Sequence, residues 1–151
     1  MAGSDNKSTM RVGVVGLGPV GTILAAHLIE AGAFVVLCDV DRKRIDAMKS
    51  GGIRLEQTTE LEVAVADVCY SVAEMKGLDL DLIAVAVKTP TLEKIVPLLA
   101  EVVTDKTFVM CVQNGLDNEL EIAKVLGEEK TLRMSINYAG GMPAPNVVKV
   151  T

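Results

Sequence analysis

Residues 11–41, RVGVVGLGPVGTILAAHLIEAGAFVVLCDVD, hold the feature that most narrows the folds open to this chain. An apolar, β-branched run from Val12 to Val15 meets three glycines, then a stretch of helical texture, then a second apolar run, Phe34 to Cys38, that closes on acids. Strand, tight turn, helix and strand make a βαβ unit, and uninterrupted apolar strands belong to a parallel sheet covered on both faces. Pro19 suits a first helical turn and Gly32 the left-handed position past a helix end, which sets this helix at about Pro19 to Ala31.

The pattern repeats. Apolar runs at Leu82 to Val87 and Phe108 to Val112 are followed by polar turns and helical stretches, Thr91 to Val103 and Asp117 to Leu126, the latter with Asp117 as cap and Glu119 and Glu121 in its first turns. Asp41 caps a further helix, Arg42 to Ser50, stopped at Gly51-Gly52. This alternation predicts an α/β fold of Rossmann type, a doubly wound, mostly parallel sheet with helices on both faces. Between Ile53 and Val72 the texture changes: Leu61, Val63 and Val65 alternate with Glu60, Glu62 and Ala64, which predicts a small antiparallel insertion. Leu132 to Tyr138 and Val147 to Val150 read as closing strands. A chain of 151 residues fits one domain, here 10–151, preceded by a polar leader at 1–9 that is expected to be disordered.

Composition excludes several classes of function. Lys and Arg number 15 against 20 Asp and Glu and are scattered, so no basic stripe is available for nucleic acid or anionic lipid. The longest apolar run, Leu82 to Val87, falls far short of the roughly 20 residues that span a bilayer. With no signal-peptide pattern, a cytoplasmic location is expected. Cys38, Cys69 and Cys111 are odd in number and form no CxxC pair, which argues against a disulfide framework or a structural metal; they read as small buried hydrophobes. His27, inside the first helix beside Ala26 and Leu28, reads as a packing or surface residue rather than an acid/base.

Gly16, Gly18 and Gly21 form G-x-G-x-x-G between strand and helix, where the tight turn, close backbone approach to a pyrophosphate and close helix packing each need a glycine. Gly16, Leu17, Gly18, Pro19, Val20 and Gly21 are therefore candidates to cradle a dinucleotide's phosphates at a helix N-terminus. A purely structural turn is the competing reading, and Asp39 weighs against it: a carboxylate about 20 residues beyond the glycines is placed to accept ribose hydroxyls. Asp39 would repel a 2′-phosphate and so favours NADH. Arg42, Lys43 and Arg44 follow it, with Arg42 the candidate for the extra phosphate, so NADPH stays open; a solvated helix face is the competing reading. Methyltransferases that use S-adenosylmethionine also place an acid after the second strand, but this glycine spacing opening an Ala-rich helix fits a dinucleotide better. Lys88-Thr89-Pro90 and Gln113-Asn114-Gly115 end two further strands and so face the same crevice. A surface lysine and a strand-end turn are their competing readings.

Taken in order, GVVGLGPVGTILAAHL, DLIAVAVKTPTLEKIVPLL, FVMCVQNGLDNELEIAKVLG and the closing NYAGGMPAPNVVKVT resemble the N-terminal domain of the ketopantoate reductases (2-dehydropantoate 2-reductases) over nearly all of residues 10–151. The resemblance implies that Gly16 to Gly21 cradle the pyrophosphate, that Lys88 lies near the cofactor, and that Asn114 contacts cofactor and substrate near the nicotinamide. It also implies an NAD(P)H-dependent oxidoreductase acting on a small 2-keto acid of the pantothenate pathway. Two departures follow. The family commonly uses NADPH and does not generally carry an aspartate where Asp39 stands. Its general-acid lysine belongs to a C-terminal helical domain for which this chain has no counterpart, so no catalytic residue is assigned here and the chain alone is expected to bind a dinucleotide without reductase turnover. An apolar face left uncovered would favour a homodimer. The rival expectations are a freestanding nucleotide-sensing regulatory module and a domain of another β-hydroxyacid or opine-type dehydrogenase.

Overall fold

The computed structural model describes residues 9–113 and 115–151; Asn114 and most of the polar leader lie outside the described residues. Ten strands and four α-helices follow one another as β1 (Arg11–Val15), α1 (Pro19–Glu30), β2 (Phe34–Cys38), α2 (Arg42–Gly51), β3 (Ile53–Gln57), β4 (Leu61–Val63), β5 (Asp67–Cys69), β6 (Leu82–Val85), α3 (Thr89–Val102), β7 (Phe108–Cys111), α4 (Asn118–Leu126), β8 (Thr131–Arg133), β9 (Gly140–Ala144) and β10 (Val147–Val150). Single 3₁₀ turns lie at Val72–Met75 and Glu128–Lys130.

Six of these strands make one wholly parallel sheet in the order β5-β2-β1-β6-β7-β8. The chain leaves β1 in one direction to build β2 and β5 and returns to the other side of β1 for β6, β7 and β8. The carboxyl ends of β1 and β6 therefore flank the switch point, where a doubly wound sheet opens a crevice. Val12, Val14, Val36, Leu37, Ile83, Ala84 and Val109 on these strands are fully shielded from solvent, as expected for strands covered on both faces.

The two faces are covered differently. On one, Leu92, Ile95, Val96, Leu99 and Val102 of α3 and Ile122 of α4 pack on Val15, Val36, Ile83, Val85 and Val109. On the other lies α1, and over it a second, mixed sheet of order β4-β3-β10-β9. Ile23, Ala25 and Ala26 of α1 share a core with Ile53, Leu55, Val148 and Val150 of that sheet and with Val12, Val14 and Val35 of the first. A helix held between two sheets must be apolar on both sides and slim, which accounts for its paired alanines.

The second sheet refines the insertion expected at 53–72. Its β3–β4 hairpin is antiparallel, pairing Ile53 with Val63 and Leu55 with Leu61. The alternation also survives, with Glu62 and Ala64 exposed between half-buried neighbours. Asp67–Cys69, however, is not part of the insertion: it is the parallel edge strand of the main sheet, with Cys38 and Cys69 as register partners. The closing strands also differ from expectation. Of Leu132 to Tyr138, only the residues up to Arg133 form a strand, β8; the Met134 N–H adds one bond to the Cys111 carbonyl, and the chain then crosses to the second sheet. There β9 forms from GGMPA, a composition that reads as a turn; Gly140 is needed because a Cβ on it would lie 2.8 Å from the Lys149 carbonyl of β10. β6 and β7 each stop short of the sequence estimate, at Val85 and Cys111.

Candidate functional site

A cleft of about 580 Å³ opens at the carboxyl ends of the central strands. Its walls come from the turn after β1, the end of β2, the Ser71–Val72 segment, the start of α3 and the end of β7. Gly16, Leu17, Gly18, Pro19, Val20, Asp39 and Lys88 all line it, so residues far apart in sequence meet there as the topology requires.

The glycine turn divides its work. Gly16 has φ +92° and donates from its N–H to the Cys38 carbonyl at 2.9 Å, and a Cβ on it would meet the Ala86 backbone at 2.9 Å. Gly21 is buried under the turn, where a Cβ would approach the Gly16 carbonyl oxygen to 1.9 Å, so the start of α1 can lie against the turn only without a side chain. Gly18 is the opposite case: nothing stands within 4 Å of the position its Cβ would take. It is also the N-cap of α1, and no side chain caps the helix there. The first turn thus starts without a side-chain acceptor for its N–H groups, an arrangement that an anion can use.

Asp39 is fixed by that same turn. Its Oδ2 accepts the Leu17 N–H at 2.8 Å, its Oδ1 accepts the Asp41 N–H at 2.9 Å, and its side chain is only 12% exposed. The carboxylate thus ties the end of β2 to the glycine turn and keeps an edge toward the cleft. Asp41 caps α2 as its sequence suggests, accepting the Arg44 N–H. The two arginines in the first turn of α2 then part company. Arg42 stacks over the Tyr70 ring at 4.4 Å and is not among the residues lining the cleft. Arg44 does line it, with its guanidinium 3.5 Å from Asp39. The helical turn separates side chains that the sequence presents as neighbours.

At the far wall, Lys88 is the exposed N-cap residue of α3. Gln113 lines the cleft but spends its amide internally: its Nε2 donates to the Val87 carbonyl, and its Oε1 faces the Cys111 thiol at 3.5 Å. It fastens the ends of β6 and β7 together, a role that strand-end position alone does not reveal. Beyond it Gly115 has φ +150°, and its carbonyl accepts from Arg133 at 3.2 Å. Arg133 also binds Glu119 at 2.9 Å, and Glu119's own backbone N–H together with that guanidinium holds its carboxyl below the ordinary range. Asp117 does stand at the N-cap of α4, but in the left-handed region (φ 64°), from which its side chain makes no capping bond.

Among the described residues no reactive side chain emerges elsewhere. Burial pushes the Cys38 thiol up to about 12 and Cys69 to about 11, and Cys111 is raised for the same reason. His27 sits on the exposed side of α1, with Nδ1 3.6 Å from Glu30. Among the described residues no group of three His, Cys, Asp or Glu side chains could hold a metal, and no helix is long and apolar enough to cross a membrane.

Comparisons with known proteins agree with this architecture. The family model described as "Ketopantoate reductase PanE/ApbA" matches residues 12–151. A 2-dehydropantoate 2-reductase of Aquifex aeolicus (strain VF5) is 26% identical over 142 residues, covering 94% of this chain and 44% of the relative. One of Lactococcus lactis subsp. lactis (strain IL1403) is 24% identical, with 93% and 45% covered. Among solved structures, 2-dehydropantoate 2-reductase from Geobacter metallireducens GS-15 superposes with a TM-score of 0.82 at 23% identity, over 93% of this chain and 46% of that one. A ternary structure of D-mandelate dehydrogenase with NADH and anilino(oxo)acetate gives 0.82 at 24% identity, over 94% and 46%. At such identities the solved structures speak for the fold, and the chain spans a little under half the length of the relatives it matches. The family model, by contrast, takes in both walls of the cleft and all of the second sheet, and by that match the chain belongs to the ketopantoate reductase family.

Proposed function

We propose that residues 10–151 form the dinucleotide-binding unit of an NAD(P)H-dependent 2-dehydropantoate 2-reductase-type oxidoreductase. The observation that carries this reading is the pairing, in one cleft, of an uncapped helix start beside the unobstructed Gly18 with a carboxylate fixed at the end of β2. The first suits a pyrophosphate and the second a ribose.

Gly16 and Gly21 shape the turn, Gly18 and Val20 present backbone donors on either side of Pro19, which has none, and Asp39 accepts ribose hydroxyls. Lys88 brings positive charge to an anionic group, and Asn114, by the family resemblance, offers an amide to cofactor and substrate. The bound dinucleotide supplies a hydride for the 2-keto carbon. The chain's own residues hold and orient it, while the proton that completes the hydroxyl comes from the general-acid lysine that the family resemblance places outside the matched region. Asp39 favours NADH over NADPH, because a largely shielded carboxylate repels a 2′-phosphate.

Calorimetric titration of the purified chain tests this reading. Saturable binding of NADH is expected, weakened roughly tenfold by Lys88→Ala, with no oxidation of NADH or NADPH when 2-dehydropantoate is added. A folded chain that binds neither dinucleotide would refute the assignment.

A further inference from the structure

Gln113 sits where β6 and β7 part to open the cleft, and we infer that it is a positioning residue: through the Val87 carbonyl it fixes the peptide that carries Lys88. The inference rests on the reading that the cleft holds a dinucleotide and concerns how the far-wall lysine is placed.

The two strands are joined by backbone as far as the Val112 N–H, which donates to the Val85 carbonyl at 2.9 Å. Past that bond, Ala86 and Val87 run between the glycine turn and Gln113. On one side the Ala86 N–H donates to the Val15 carbonyl at 2.7 Å, and the Val87 side chain comes within 2.9 Å of the place a Cβ on Gly16 would take. On the other side the Val87 carbonyl finds no backbone donor among the described residues, and the Gln113 Nε2 donates to it instead. A side-chain amide thus stands in for the ladder bond that parallel strands lose where they splay.

The surroundings of Gln113 suit it to this task. It is polar yet only 8% exposed, so little water competes for its amide. The Cys111 thiol, raised by burial and so kept as a donor, stands 3.5 Å from Oε1 and turns Nε2 toward Val87. The peptide so fixed leads straight into α3: Lys88 is the N-cap, and its carbonyl accepts the Thr91 N–H at 2.9 Å and the Leu92 N–H at 3.2 Å. Lys88 is therefore held by α3 on one side and by Gln113 on the other, at a set distance from the glycine turn. Without the Gln113 bond the Val87–Lys88 peptide gains freedom, and an anion that binds the ammonium must first narrow it, which lowers affinity.

The test is a double-mutant cycle of NADH and NADPH titrations on the unsubstituted chain, Gln113→Met, Lys88→Ala and the double variant, with circular dichroism to confirm folding. Methionine keeps the length of glutamine and removes the donor. Gln113→Met should weaken binding about threefold to tenfold where Lys88 is present, and less than about twofold where it is alanine, the mark of two residues acting as one. A glutamine that only braced the fold would lower affinity equally in both backgrounds. Amide hydrogen exchange gives a reading without cofactor: Thr91 and Leu92, whose N–H groups close on Lys88, should exchange at least about threefold faster in Gln113→Met, with Leu99 unmoved. Should Gln113→Met not fold, Gln113→Glu, which keeps the shape and puts a carboxylate in place of the donor, takes its position in the cycle. Equal loss in both lysine backgrounds, no loss in either, unchanged exchange at Thr91 and Leu92, or a Lys88→Ala variant that binds as tightly as the unsubstituted chain would overturn the role of Gln113 and leave the cleft assignment standing. Binding of neither dinucleotide by the unsubstituted chain would overturn both.

Discussion

At the turn after β1, two glycines three residues apart, Gly18 and Gly21, fail for different reasons if given a side chain. A methyl group on Gly21 would stand 1.9 Å from the Gly16 carbonyl, so Gly21→Ala must push α1 off the turn and should cost about 1–3 kcal/mol of stability. A methyl on Gly18 meets no protein atom within 4 Å. Gly18→Ala should therefore leave stability within about 1 kcal/mol of the parent while weakening NADH by about tenfold or more, because the methyl occupies the space a pyrophosphate needs. Thermal melts and titrations of the two variants check this; loss of stability in Gly18→Ala, or its full retention of NADH binding, would contradict it. Sequence alone grouped these glycines with Asp39, and in the structure they are neighbours, the Leu17 N–H donating to Asp39, since strand, turn and acid follow a local order. It did not separate Arg42 from Arg44, which differ by the rotation of half a helical turn, and it did not show that Gln113 spends its amide on Val87.

At the scale of elements, β2 and β5 meet at a pair of thiols. Cys38 and Cys69 are register partners in adjacent parallel strands, both buried, and the Cys38 carbonyl also receives the Gly16 N–H. Burial raises Cys38 from the ordinary thiol value of 9.0 to about 12 and Cys69 to about 11. Since the folded values lie above the unfolded ones, the native state holds these protons when the unfolded chain has released them. This contribution is whole below about pH 9 and is lost as pH rises toward 11 and 12. Urea midpoints measured from about pH 8 to about pH 11 should fall above about pH 9, and Cys38→Ala should flatten the fall; an unchanged slope in that variant would contradict the account. The thiols were legible as buried hydrophobes, but β5 was not legible as a main-sheet strand. Its three residues follow directly on an alternating stretch, and only pairing with β2 distinguishes them. Asp117 illustrates the same limit: aspartate before a helix suggests a cap, yet the left-handed backbone at φ 64° turns the side chain away from that task.

For the whole molecule, the sheet order places everything the cleft needs at one edge, and this much the βαβ alternation already implied. The second sheet was only half legible. Its parallel pair joins Arg54 to Val147 and Gln57 to Val150, partners that no local pattern can link, and its edge strand, GGMPA, carries two glycines and a proline. What it does is sandwich α1, so the helix that presents backbone donors to the cleft is braced on both sides. The most direct test of the central claim, that a dinucleotide lies across this edge, is an amide chemical-shift map recorded while NADH is titrated into the isotopically labelled chain. The account predicts that the largest shifts fall on Leu17, Gly18, Val20, Asp39, Val40 and Lys88, with the exposed face of the second sheet, around Glu60 and Glu62, unmoved. Shifts centred on that second sheet, or none at saturating NADH, would contradict it.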